Sequence, residues 1–164
     1  MKTNKKVTGI QGTDLLERVR ESSWTYIKTV TNILHEPILI LNKDLRVMAA
    51  NESFYEIFQV ESKDTENVIV YELGNGQWDI PALKKLLEDI LPYNTFFKGF
   101  EVSYVFPAIG RKVMILNARQ IHFKEVDAFF PPIIFIAMED ITEMVEIAET
   151  LAGIVTLPIA ERHP

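Results

Sequence analysis

The sequence predicts an α+β fold organised around one antiparallel sheet, and three observations carry that prediction. Strand-like apolar runs fall into two groups, one following Pro37 and one beginning near Phe100. Helix-like stretches lie outside and between these groups without alternating with single strands, the segregation that separates α+β from α/β chains. The apolar period changes once from 3.6 to 2, after Pro92, so the sheet is completed by a long run of strands.

From Asp14 to Leu34 the pattern is helical. Leu16, Val19, Ser23, Tyr26, Val30 and Ile33 recur at spacings of three and four, the seam of a helix that packs lengthwise. Asp14 stands where an N-cap belongs, and Pro37 ends the helix by about Glu36. "PILILNKDLRVMAAN" reads as two short strands around an Asn42-Lys43-Asp44 turn, the first of them apolar on both faces through Ile38, Leu39, Ile40 and Leu41. Asn51 caps a short helix with Phe54, Ile57 and Phe58 on one side; Ser62 caps a further turn, and Asn67 suits a left-handed C-cap.

In "YELGNGQWDIPALKKLLEDILP", Gly74 and Gly76 break the chain, and Asp79 caps a helix with Pro81 in its first turn. Ile80, Leu83, Leu87, Ile90 and Leu91 make its apolar face, Lys84, Lys85, Glu88 and Asp89 its wet one, and Pro92 ends it. Phe100, Val102, Tyr104 and Phe106 then alternate with Glu101, Ser103 and Val105 as a half-buried strand. "PAIGR" turns it into a partner strand, "KVMILNARQIHF". The last strand, "PPIIFIAM", is apolar on both faces, so something must cover its outer side; the N-terminal helix is the candidate. A final helix runs from Ile141 to about Val155, with Ile141, Met144, Val145, Ala148, Leu151 and Ala152 apolar, and Pro158 ends it.

A chain of 164 residues suits one domain with a real core. A net charge of -6 argues against a general nucleic-acid binder, since no basic stripe is present to neutralise phosphates. The absence of cysteine excludes disulfides, thiolate metal sites and a cysteine nucleophile, and fits a reducing compartment. No apolar run approaches membrane-spanning length, and "MKTNKKVTGIQGT" lacks the apolar core of a signal peptide. The expectation is a cytoplasmic protein. His35, His122 and His163 are too dispersed to share a metal, and the acidic residues lack ligand spacing. "LHEPIL" has a superficial likeness to a histidine-kinase phosphoacceptor box, but the box is incomplete and strand-like residues follow Pro37. With no ATP lid, P-loop or nucleophile–base pair, the chain is not expected to be an enzyme.

"FIAMEDITEMVEI" joins the last strand to the last helix with no flexible loop. Asp140-Ile141-Thr142-Glu143 reads as a capping box, Asp140 as N-cap and Glu143 reaching back. A helix capped by the end of a strand shifts when the sheet shifts.

This order of elements resembles a PAS domain, the sensory module of many signalling proteins. "EPILILNKDLRVMAANESFYEIF" looks like the first two PAS strands and the helix after them. "YELGNGQWDIPALKKLLEDILP" and "FEVSYVFPAIGRKVMILNAR" are similar to segments of the sensory-box subgroup found with histidine kinases and chemotaxis-type methyltransferases. "MEDITE" matches the junction that ends many PAS domains and starts their output helix. The resemblance covers about residues 36–143. It implies a five-stranded antiparallel sheet in the order 2-1-5-4-3, short helices on one face, and a helix at each end. It divides the chain into a flexible tail (1–13), a signalling and dimerisation helix (14–35), the PAS domain (36–140), an output helix (141–157) and a second tail (158–164).

The implied role is sensory or regulatory, in a two-component, histidine-kinase-type signalling protein. Such a domain binds a small ligand or pairs subunits, and transmits through Asp140, Thr142 and Glu143. PAS-like flavin photosensors need a cysteine, which is absent; haem-binding PAS domains carry a histidine on the long helix, and Ile80 to Leu91 has none. That leaves a small apolar ligand or none. Phe54, Phe58, Trp78, Leu83, Leu87, Val102, Tyr104, Met114 and Leu116, with Asn117, either line a pocket between helices and sheet or fill it as core. The alternative function is a ligand-free homodimerisation module. Pairing is expected through the N-terminal helix, its seam of Leu16, Val19, Tyr26, Val30 and Ile33 packing lengthwise and Trp24 and Ile27 supplying a second edge toward another copy.

Overall fold

The computed structural model describes residues 12–92, 96–122 and 131–155. Most of the tails expected at 1–13 and 158–164, Pro158 as helix end and His163 lie outside these residues. Five strands form one antiparallel sheet: β1 (Ile38–Asn42), β2 (Val47–Ala50), β3 (Phe96–Phe106), β4 (Gly110–Ile121) and β5 (Ile133–Asp140), in the order β2-β1-β5-β4-β3. This is the expected strand order.

Between β2 and β3 lie the helices α2 (Glu52–Phe58), α3 (Ser62–Thr65), α4 (Leu73–Gly76) and α5 (Pro81–Lys84). A π-helical turn, Lys85–Ile90, continues α5 and is closed by the Leu91 N–H donating to Leu86 O at 2.9 Å. The wider turn sets both Leu86 and Leu91 into the core, so Leu86 joins the apolar face expected of Leu83 and Leu87. Neither Ser62 nor Asp79 caps a helix: the caps are Glu61 and Ile80, and Asp79 pairs with Lys84. Asn67, at φ 66, does take the left-handed conformation.

One core lies between these helices and the inner face of the sheet. Leu39, Leu41, Val102, Phe106, Met114, Leu116, Ile136 and Met138 come from the strands, and Phe54, Phe58, Trp78, Leu83 and Leu87 from the other side. The outer face has its own smaller cluster, in which Ile38, Ile40 and Ile133 meet Trp24 and Ile27 of α1 (Gly12–Thr31). The N-terminal helix is therefore the cover that the doubly apolar strands require. The edge that does the covering is the reverse of the expected one. Trp24 and Ile27 lie on the sheet because they share a stripe that faces it, while Tyr26 and Ile33 of the seam are 71% and 72% exposed. Leu16, Val19 and Val30 are exposed with them. Asp14 lies within the first turn, two residues after the helix begins, and is not its cap.

Asn51 is fully buried and does more than cap α2. Its Oδ1 accepts from Phe54 N at 3.1 Å, the cap bond, and from Ile38 N at 2.8 Å. Its Nδ2 donates to Thr31 O (3.0 Å), at the end of α1, and to Leu34 O (3.3 Å) and Glu36 O (2.9 Å) in the segment that leads into β1. One amide thus joins the end of α1, the start of β1 and the start of α2. Asn51→Ala is expected to cost about 3 kcal/mol or more, because several buried backbone groups lose their partners at about 1–3 kcal/mol each. Urea denaturation of Asn51→Asp separates this from simple capping. A cap accepts Asp as readily as Asn, whereas here a carboxylate would face three carbonyl oxygens, so a loss close to that of Asn51→Ala is expected.

Candidate functional site

The side chains considered for an interior pocket converge on the same region, and they fill it. Phe54, Phe58, Trp78 and Phe106 form a continuous ring cluster, with centroids 4.9 Å apart for Phe54–Phe58, 4.7 Å for Phe58–Trp78 and 5.6 Å for Trp78–Phe106. These are the separations of favourable aromatic packing. Leu83, Leu87, Val102, Met114 and Leu116 close the remaining space and are buried. Tyr104 is half-buried, its ring set edge-on to Phe106 at 5.1 Å. Asn117 does not belong with them. Leu116 and Ala118 face the helices, so Asn117 between them faces outward, where its Oδ1 accepts from Gly99 N at 3.0 Å and holds a bulge between Phe97 and Phe100. Tyr55 and Tyr71 keep buried hydroxyls; burial raises the pKa of both, opposed at Tyr55 by Ser62 and the Ala50 backbone and reinforced at Tyr71 by the Glu88 carboxylate.

The strand–helix junction is the second candidate. β5 ends at Asp140 and α6 (Thr142–Val155) begins two residues later, with Val145 N donating to Ile141 O as the first helical bond. Ile141 is thus the residue at the cap position and Asp140 precedes it. The Asp140 carboxylate still closes the joint: Oδ1 accepts from Thr142 N at 3.0 Å and from the Thr142 hydroxyl, and Oδ2 accepts from Lys112 Nζ at 2.6 Å. Glu143, expected to reach back as the second half of a capping box, is exposed, and the Asp140 carboxylate takes its charged partner from β4 as Lys112.

Three consecutive residues of β4 bind the end of β5 and the first two turns of α6. Arg111 makes a two-pronged bond to Glu149, 2.9 Å on each prong. Lys112 binds Asp140, and Val113 N donates to Thr142 Oγ1 at 2.9 Å while Val113 O accepts from Ile141 N at 2.9 Å. Nothing local in the sequence points to Arg111, Lys112 or Glu149. The signal that finds them is register: Met114 pairs with Asp140, so residues 111–113 run on past the end of β5, beside the helix.

Burial alone would push the Asp140 carboxyl up, but the bonds from Lys112 and Thr142 outweigh it and hold the group below the usual Asp range. A depressed folded-state pKa gives stability that is complete above the ordinary Asp value of about 3.9 and is lost as pH falls through the lower folded value. Asp140→Asn is accordingly expected to lower stability near neutral pH by about 1 kcal/mol. Its difference from the native chain should shrink as pH falls below the ordinary Asp value of about 3.9 and on through the lower folded value, checked by urea midpoints across pH. For the interior, Leu87→Trp is expected to cost about 1–3 kcal/mol through overpacking. Thermal melting reads this directly, and an unchanged melting temperature would reveal free space.

Among the described residues, no group of three or more His, Asp or Glu side chains is placed to hold a metal ion, and no helix is long and apolar enough to cross a membrane. No protein-family model matches the sequence, and no curated protein matches it. Solved structures do. The PAS domain of BvgS from Bordetella pertussis superposes with a TM-score of 0.60 at 15% identity, over 81% of this chain and 96% of that one. A PAS domain from a two-component sensor histidine kinase gives 0.54 at 10% identity, over 74% and 98%. A phage VqmA–DPO complex gives 0.56 at 13% identity, over 88% of this chain and 66% of that one. With its 2-1-5-4-3 sheet, helices packed on one face and a junction helix leaving β5, the chain has the PAS fold.

Proposed function

We propose that this domain is a regulatory signalling module that works as a pair of copies and sends its output through α6. The observation that carries the reading is the junction: β5 enters α6 without a loop, and three successive residues of β4 bind along it, Val113 at the first residue of the helix, Lys112 at Asp140 where β5 ends, and Arg111 at Glu149 two turns into the helix. A displacement of β4 against β5 moves α6 with it. The similarity to PAS domains of sensor kinases supports the same reading, and the output partner is then a histidine kinase or comparable signalling domain in the cytoplasm. Chemistry, on this reading, belongs to that partner and not to this chain.

Pairing is supported by what α1 and α6 leave uncovered. Leu16, Val19, Tyr26 and Val30 form an exposed seam on α1, with Ile33 exposed in the turn just after it, and Met144, Ile147 and Leu151 form one on α6. Both repeat at spacings of three and four, as in helices that wrap around a second copy. Each such side chain contributes about 1.5–3 kcal/mol when fully buried, so a few per protomer hold a dimer. Because Trp24 and Ile27 already lie on the sheet, the two edges of α1 serve different surfaces and do not compete.

Two measurements test this. Val19→Glu with Tyr26→Glu places charge on the exposed seam without touching the sheet cover, and light scattering should then report a monomer where the native chain is a dimer. Asp140→Ala should raise hydrogen exchange in residues 142–152 while leaving β5 protected; unchanged exchange in α6 would remove the transmission role.

A further inference from the structure

We propose that the π turn at Lys85–Ile90 is a register switch, a place where one helix has two packings close in energy. In one packing Leu91 N bonds to Leu86 O, five residues back, and the Leu91 side chain is buried in the core cluster with Leu83 and Leu87. The second packing is a plain α-helix that ends at Ile90 and gives the core position of Leu91 to Ile90.

Two observations carry this. The first is the pair of apolar residues at the end of the helix. In an uninterrupted α-helix each residue turns the chain by about 100°, so positions 83, 87 and 90 share one line and position 91 falls at its edge. The wider π turn takes up one extra residue and brings Leu91 to the place that position 90 would otherwise hold. Ile and Leu have nearly equal volumes, and cores accept such exchanges with little loss.

The second observation is Pro92. A proline disfavours the α conformation in the residue before it, because its Cδ meets the N–H and Cβ of that residue. Leu91 nevertheless holds that conformation, at φ -64 and ψ -36. Burial of its side chain offsets the preference and keeps the π turn closed. In the second packing Leu91 leaves the core and takes the extended backbone that Pro92 favours. The helix then stops just ahead of Leu91, within the limit that a following proline ordinarily sets. Each packing satisfies one demand at Leu91 and gives up the other.

Shortly after Leu91 the chain enters β3 at Phe96, and β3 pairs along its length with β4, whose residues 111–113 bind the α6 joint. A change of register rotates the chain leaving the helix by about 100°, and the edge strand β3 meets that change first. On the signalling reading above, the switch is where the helical layer acts on the sheet, and that consequence rests on that reading. The test does not, because exchange is read at residues 85–91 and transmission at α6.

Helix register shifts take microseconds to milliseconds, so the experiment is NMR relaxation dispersion on the full chain, at backbone amides and α-carbons. The native chain is expected to show exchange centred on residues 85–91, with a minor state populated to about 0.1–10%. The carbon shifts of that minor state should be helical through Ile90 and extended at Leu91. Pro92→Ala, at an exposed position, removes the opposition to the α conformation of Leu91 and should suppress the exchange. Deletion of Asp89, also exposed, turns the Leu91–Leu86 bond into an ordinary α-helical one with Leu91 still in the core, and should abolish the exchange. If the shortened chain does not fold, Pro92→Ala alone decides. Absence of exchange in the native chain, a minor state in which Leu91 is helical, or exchange untouched by Pro92→Ala would each overturn the proposal.

Discussion

The amide of Asn51 is the point on which the rest of the structure depends. A buried primary amide has two donors and one strong acceptor group, and leaving any of them unpaired is costly. Here all are used, and used on three different elements and the segment between two of them: the last carbonyl of α1 and that of Glu36 beyond it, the first N–H of β1 and the first turn of α2. α1 could not lie against the outer face while α2 dives toward the inner one without some group satisfying the backbone between them. Asn32 and Ser53 reinforce the same corner through Glu52 N and Leu34 O, and Lys28 reaches across to Glu66 at 2.9 Å.

The junction after β5 is the counterpart at the other end of the domain. β1 pairs with β5 and β5 with β4, so the strand anchored by Asn51 is the immediate neighbour of the strand that becomes α6. Individually the junction bonds are modest. The Arg111–Glu149 pair is exposed and contributes about 0–1 kcal/mol, and the Asp140 bonds about as much as a helix cap. Their importance is geometric, because they fix where α6 starts relative to β4. A close-packed interior, filled by its own rings and leucines, passes a displacement on instead of absorbing it.

Periodicity made the architecture legible. The strands, the helical stretches, the double-sided burial of β1 and β5 and the need for a helical cover all follow from which side chains are apolar and how often they recur. Local turn chemistry was legible too, at Asn42, Asn67 and the Gly74–Gly76 break. What escaped was anything set by contacts distant in sequence. Leu16, Val19 and Tyr26 outrank Trp24 and Ile27 as a helical seam, yet only the shape of the outer face decides which stripe lies on it. The π turn that buries Leu86 leaves no mark in a 3.6-residue pattern. Lys112 and Arg111 look like ordinary solvated cations until the β4–β5 register carries them past the end of β5.

The central claim is that α6 is carried by the sheet through the Asp140 joint. Because the chain has no cysteine, thiols introduced at Ser103 on β3 and Glu146 on α6 can be spin-labelled uniquely, and the distance between them measured by pulsed electron resonance. A narrow distribution is predicted for the otherwise native chain, broadening when Asp140→Gly and Arg111→Ala are added. A distribution that is broad from the start, or one that stays narrow after both substitutions, would contradict it.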